Sequence, residues 1–157
     1  MTDDSGGPSL LQIQGIKTTT QLLKRVEGIT YWVIDDPKQI RKFINTNLRQ
    51  EWKKDAETDG VDPGRDPWLR DLSKLEWSLQ TIAMAKVRPS LSMMRRQEFI
   101  ARLKERSKQL RRAIELYDQV IWPVIIRGKD SMLKDGYCRY TTLKTMGVKR
   151  TLAYVGH

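Results

Sequence analysis

Residues 133–142, Leu133-Lys-Asp-Gly-Tyr-Cys-Arg-Tyr-Thr-Thr142, gather the side chains in this chain best suited to chemistry. The stretch reads as a short strand, a glycine turn and the first turns of a helix. Gly136 permits a backbone conformation barred to other residues and lets a ligand approach the main chain. The N–H groups of the first helical turn, around Cys138 to Thr141, point outward with the positive end of the helix dipole behind them. Such a terminus suits an anion, and phosphate above all. Arg139 can add a bidentate charged donor. Thr141 and Thr142 can add hydroxyls. The same spacing also describes an ordinary strand–glycine–helix junction. Asp135 can hold a metal ion that bridges nucleotide phosphates, orient Arg139, or simply cap the turn. Cys138 can be a nucleophile, since a helix N-terminus and a neighbouring Arg lower a thiol's pKa, or a small packing residue.

The rest of the composition narrows that chemistry. Cys138 is the only cysteine, so no intramolecular disulfide forms, as suits a reducing compartment. His157 is the only histidine and stands at the last position, which argues against a His-based triad and a zinc cluster; no residue is assigned as a metal ligand. The 157 residues carry 29 Lys and Arg against 19 Asp and Glu, a net charge of +10. That excess favours a polyanionic partner: nucleic acid, nucleotide or an acidic membrane surface. No apolar run approaches the roughly 18 residues that span a bilayer. The opening Met1-Thr-Asp-Asp-Ser-Gly-Gly7 is acidic and polar, unlike a secretory signal. The expectation is a cytoplasmic protein with no membrane partner and a disordered tail over residues 1–9.

The elements that must position the turn follow from periodicity and punctuation. Thr18 to Glu27 reads as a short helix stopped by Gly28. Ile29-Thr-Tyr-Trp-Val-Ile34 reads as a strand. Asp35-Asp-Pro37 starts a helix on which Ile40, Phe43, Ile44, Leu48 and Trp52 recur, running to about Glu57. Residues 58–67 are turn chemistry throughout and mark a boundary. Leu75 to Val87 alternates in part and reads as a strand closed by Arg88-Pro-Ser90. Ser90 or Ser92 then caps a helix with Phe99, Leu103, Leu110, Ile114 and Tyr117 on one side; Ser107 is where it could break. Ile121 to Arg127 is a strand with Pro near its start. Gly128 to Asp130 turns the chain into a strand over Ser131 to Lys134. Thr141 to Met146 is helical, and Thr151 to Val155 is the final strand. Residues 74–157 thus form one compact unit, with residues 10–70 as a mostly helical extension before it.

Those C-terminal residues resemble a known family. Trp122-Pro-Val-Ile-Ile-Arg-Gly-Lys-Asp-Ser-Met-Leu-Lys-Asp-Gly-Tyr-Cys-Arg-Tyr-Thr-Thr-Leu-Lys-Thr-Met-Gly147, with Ala153-Tyr-Val-Gly156, is similar to the ParB/sulfiredoxin superfamily. Its members have a Pro-hydrophobic-Val strand, an Asp-Gly-x-x-Arg turn, a helix and a closing strand. Leu79 to Ser90 resembles the family's first strand and its proline exit. The likeness covers about residues 74–156. It implies an α+β fold, a small mixed sheet with packed helices, and a nucleotide site. ATP or CTP with Mg²⁺ would lie on Gly136, Tyr137, Cys138, Arg139 and Thr141, faced by Arg88 and Ser90. Asp135 and Arg139 would be the catalytic residues of a nucleotide hydrolase or nuclease. Where sulfiredoxin carries its cysteine this chain has Tyr137, and where amino-acid kinases of this scaffold carry a glutamate it has Ser90.

Residues 88–112 add a cationic run. Arg88, Arg95, Arg96, Arg102, Lys104, Arg106, Lys108, Arg111 and Arg112 face only Glu98 and Glu105. Arg95, Arg96, Arg102, Arg106, Arg111 and Arg112 are the residues expected to touch a nucleic-acid backbone without reading bases. A solvated helix packing one side on the core fits the same run. Three functions follow: a ParB-like nucleotide-binding protein that engages DNA, a small-molecule kinase acting on an amino acid, and a non-catalytic interaction protein. The first accounts for both the turn and the basic helix.

Overall fold

In the computed structural model residues 21–48, 50 and 74–157 are described. The expected tail over residues 1–9, the turn-rich segment 58–67 and Trp52 lie outside the described residues. The described residues open on an antiparallel hairpin of β1 (Gln21–Val26) and β2 (Ile29–Ile34). The helix expected over Thr18 to Glu27 is therefore a strand where it is described. Gly28 fits either ending. Its φ of 81° suits a helix C-terminus, but Glu27 is also left-handed at φ 48°. Two consecutive positive φ values make the primed turn that joins twisted strands.

Pro37 opens α1 (Pro37–Phe43) as expected, without a side-chain hydrogen bond from Asp36. The helix passes into a π-helical turn over Ile44–Leu48. Its buried residues, Ile40, Phe43 and Ile44, join Ile34, Trp77, Ile125 and Tyr154 in one apolar cluster. The strand expected over Leu75 to Val87 is β3 (Trp77–Ala83), followed by a 3-10 turn at Met84–Lys86.

The helix expected from Ser90 or Ser92 begins later. Ser90 accepts the N–H of Met94 on its carbonyl, and a 3-10 turn spans Met93–Arg95. Then α2 runs from Gln97 to Tyr117 unbroken through Ser107, and Asp118 ends it at φ 50°. Ile121 does not belong to the next strand; it bridges Tyr31, tying the hairpin to the body. The strand proper is β4 (Val124–Arg127), starting after Pro123. It turns into β5 (Met132–Asp135). Gly136 opens α3 (Tyr137–Thr145), a turn earlier than the helix expected at Thr141. The chain closes with β6 (Arg150–Gly156).

Four strands form a mixed sheet in the order β3-β6-β4-β5, in which only the β4–β6 pair is parallel. Alternation divides its side chains between two clusters. The neighbours Val124 and Ala153, and Ile126 and Val155, face the cluster that holds Leu103 and Ile114 of α2 with Tyr137, Tyr140 and Leu143 of α3. The neighbours Ile125 and Tyr154 face the α1 cluster. The fold is α+β, as expected. The hairpin is part of it: Ile29, Tyr31 and Val33 sit in the main core, and the Ile34 N–H donates to the Tyr154 hydroxyl at 3.0 Å.

The helices α2 and α3 run parallel. Phe99 meets the Tyr137 ring edge-on at 5.5 Å, Thr142 Oγ1 reaches the Ser107 carbonyl at 3.4 Å, and Arg111 reaches the Thr145 carbonyl at 3.2 Å. Contacts that rise in number along both helices require that orientation. Both N-termini therefore lie at the end of the molecule that holds Gly136.

Candidate functional site

The turn between β5 and α3 is built around Gly136. Its φ is 97°, the left-handed region that side-chain-bearing residues avoid. A Cβ there would lie 2.7 Å from an Arg139 guanidinium nitrogen and 2.9 Å from Val124 Cγ1. Arg139 thus folds back from the first turn of α3 and lies across the glycine, so the open approach to the main chain expected at Gly136 is filled by this side chain and Val124. It donates to Asp135 Oδ2 at 3.0 Å, joining the residues on either side of Gly136. The pair is mostly shielded, with 19% and 28% of the two side chains exposed. The first intrahelical bond, Tyr140 N–H to the Gly136 carbonyl, is 2.8 Å. The amides of Tyr137, Cys138 and Arg139 precede it, and an α-helix gives such amides no internal partner.

The structure brings several of the expected site residues together. Arg88 extends the sheet beside β5: its N–H donates to the Ser131 carbonyl and its carbonyl accepts from Leu133, both at 2.9 Å. This carries Ser90 to the helix start, where its N–H donates to the Tyr137 hydroxyl at 2.9 Å. The same hydroxyl donates to the Leu133 carbonyl at 2.9 Å. Tyr137 is therefore a buried strut between segments, and only its main chain lies at the turn. Burial pushes its phenol up to about 12, against the bond from Ser90. Ser90 is buried, with its hydroxyl on that of Ser92 at 3.0 Å. Cys138 is half-buried and packs on the main core. Of the two threonines, Thr142 is fully buried and spends its hydroxyl on the Cys138 carbonyl at 2.7 Å, while Thr141 stays half-buried.

The six arginines of the cationic run do not share a face. Arg95 is exposed in the 3-10 turn and Arg96 precedes α2. Leu103, Ser107 and Ile114 define the buried side of α2. With about 100° between residues, Arg102 and Arg106 fall on the flank away from α3, and Arg112 points opposite the core. Arg111 turns toward α3, where it caps the Thr145 carbonyl and pairs with Glu115 at 3.3 Å. Lys104 and Lys108, absent from the expected contact set, are exposed on the α3 side of the helix. Their place is legible only once the face touching α3 is known.

A separate open cleft of about 700 Å³ lies between the hairpin turn and the C-terminal end of α2. Arg25 pairs there with Asp118 at 2.9 Å, and Glu27 holds Arg150 at 3.2 Å. None of the turn residues lines it. Among the described residues no group of three or more His, Cys, Asp or Glu could hold a metal ion, and no helix is long and apolar enough to cross a membrane.

No family model matches the chain, and no curated protein does. Among solved structures it is similar to a Pnob8-like ParB-N domain, at 21% identity and a TM-score of 0.39. The match covers 52% of this chain and 30% of that one, so the chain spans less than a third of that protein's length.

Proposed function

We propose that the β5–α3 turn binds the phosphates of a nucleotide, ATP or CTP with Mg²⁺, and that the chain engages DNA through its backbone. One observation supports the first part above the others. Gly136 has neither the φ nor the space for a side chain, and the guanidinium of Arg139 fills the place a side chain would take. A cation is thus held against the amide-bearing start of a helix, the combination that favours phosphate. Phosphates would meet the Cys138 and Arg139 amides, the Thr141 hydroxyl and the free donors of the guanidinium. The Arg88–Ser90 segment walls that end of the molecule. Asp135 is the one carboxylate at the turn, which fits a Mg²⁺ carried in by the phosphates better than a resident ion. In a hydrolytic reaction Arg139 would neutralise charge on the phosphoryl oxygens, and Asp135 would hold it in place.

The second part is supported by charge, a net +10 with α2 exposing Arg102, Lys104, Arg106, Lys108 and Arg112. Two measurements test the reading. A thermal-shift screen against ATP, ADP and CTP with Mg²⁺ should raise the melting temperature for at least one of them. Retention of a DNA duplex should fall steeply as salt rises. Absence of both would remove the proposal.

A further inference from the structure

Resting on the DNA-binding half of that reading, we infer that the DNA backbone lies in the groove between α2 and α3, held by Lys104 and Lys108. The exposed arginines of α2 are then not its main contacts.

Ser107 and Arg111 mark the line on α2 that touches α3. Lys104 lies seven residues before Arg111, within about 20° of it around the helix, and Lys108 three before, about 60° away. Both are exposed, so they rise beside the contact line and overhang the groove. Arg102 lies nine residues before Arg111, about 180° around, and Arg106 about 140°. They are equally exposed but face the other flank. On α3, Thr142 faces α2, and the half-buried Thr141 and exposed Thr145 border the groove opposite the lysines.

Charge selects the occupant. Among the described residues no ion pair engages Lys104 or Lys108, and the first acid along the strip is Glu115, already paired with Arg111. The outward face between the two flanks carries Glu98 and Glu105 beside Arg112, so its charges offset one another and it holds a phosphate chain less well than the lysine strip. The lysines stand one helical turn apart, about 6 Å, a spacing comparable with neighbouring phosphates of one strand. The strip runs parallel to α3, whose start is the Gly136 turn.

Two charge-matched variants decide the matter. K104Q/K108Q and R102Q/R106Q remove equal charge from the same helix, all at exposed positions. Each would be titrated with a labelled random-sequence duplex from about 50 to 200 mM salt. The lysine pair should lose at least about tenfold in affinity, with a salt dependence shallower by about 2 in the log–log slope. The arginine pair should lose less than about threefold. Equal losses would mean diffuse attraction by net charge, and a larger loss from the arginine pair would place the DNA on the far flank; either overturns the inference while leaving DNA binding intact. Failure of the unaltered chain to bind at low salt would instead remove the reading on which the inference rests.

Discussion

Single residues set the turn, and Gly136 is the most constrained of them. Gly136→Ala forces a side chain into the left-handed region, at a cost of about 1–2 kcal/mol from the backbone alone. The contacts under 3.0 Å with Arg139 and Val124 add to it. Urea denaturation should show that loss, and an unchanged midpoint would mean that Gly136 does not hold the left-handed backbone. Tyr137 is tested by removing one oxygen. Tyr137→Phe leaves the Ser90 N–H and a lone pair of the Leu133 carbonyl without the phenol that serves both, for a loss of about 1–3 kcal/mol. Its titration has a defined sign. The folded pKa, about 12, lies above the ordinary tyrosine value of 10.0, so the folded state holds the proton more tightly. This contribution is fully present below pH 10.0 and is lost as pH rises through about 12. Stability followed from neutral to alkaline pH should fall in that window, and less so in Tyr137→Phe.

At the scale of elements, the interface between α2 and α3 holds a polar atom that contributes nothing. Ser107 Oγ is buried without a hydrogen-bond partner. Ser107→Ala should therefore leave stability unchanged or raise it by about 0.5–1 kcal/mol, since it removes an unpaired hydroxyl and improves helix propensity. A fall in melting temperature would mean that the hydroxyl is engaged. The same helices show what periodicity can and cannot disclose. Most of the C-terminal strands were legible from apolar alternation and from Gly and Pro: β4 through β6 lie within three residues of their expected ends, while β3 stops four residues short of Val87. The first strand was not. Its sequence, Gln21-Leu-Leu-Lys-Arg-Val26, has helical propensity, and pairing with the β-branched β2 overrides it. The early helix start at Ser90 failed for another reason. Ser90 and Ser92 do form a turn, but their hydroxyls bond each other instead of capping, and the Ser90 N–H is held by Tyr137, a contact 47 residues away that no local pattern contains.

For the whole molecule, charge was legible and its arrangement was not. Composition alone shows the excess of cations, yet it cannot say that Arg102 and Lys104 occupy different sides of α2. That distinction needs the partner helix. The glycine turn was legible as a residue pattern because its requirements are local: a positive φ, a helix start and a cation four residues after an acid. The central claim concerns what that turn grips. Titration calorimetry of ATP and CTP with Mg²⁺ against the unaltered chain and Arg139→Gln tests it most directly. Saturable binding by the unaltered chain, weakened at least about tenfold when the bidentate charged donor is lost, is the result expected. Equal affinity in the two proteins, or no heat from either nucleotide, would contradict a phosphate site at Gly136.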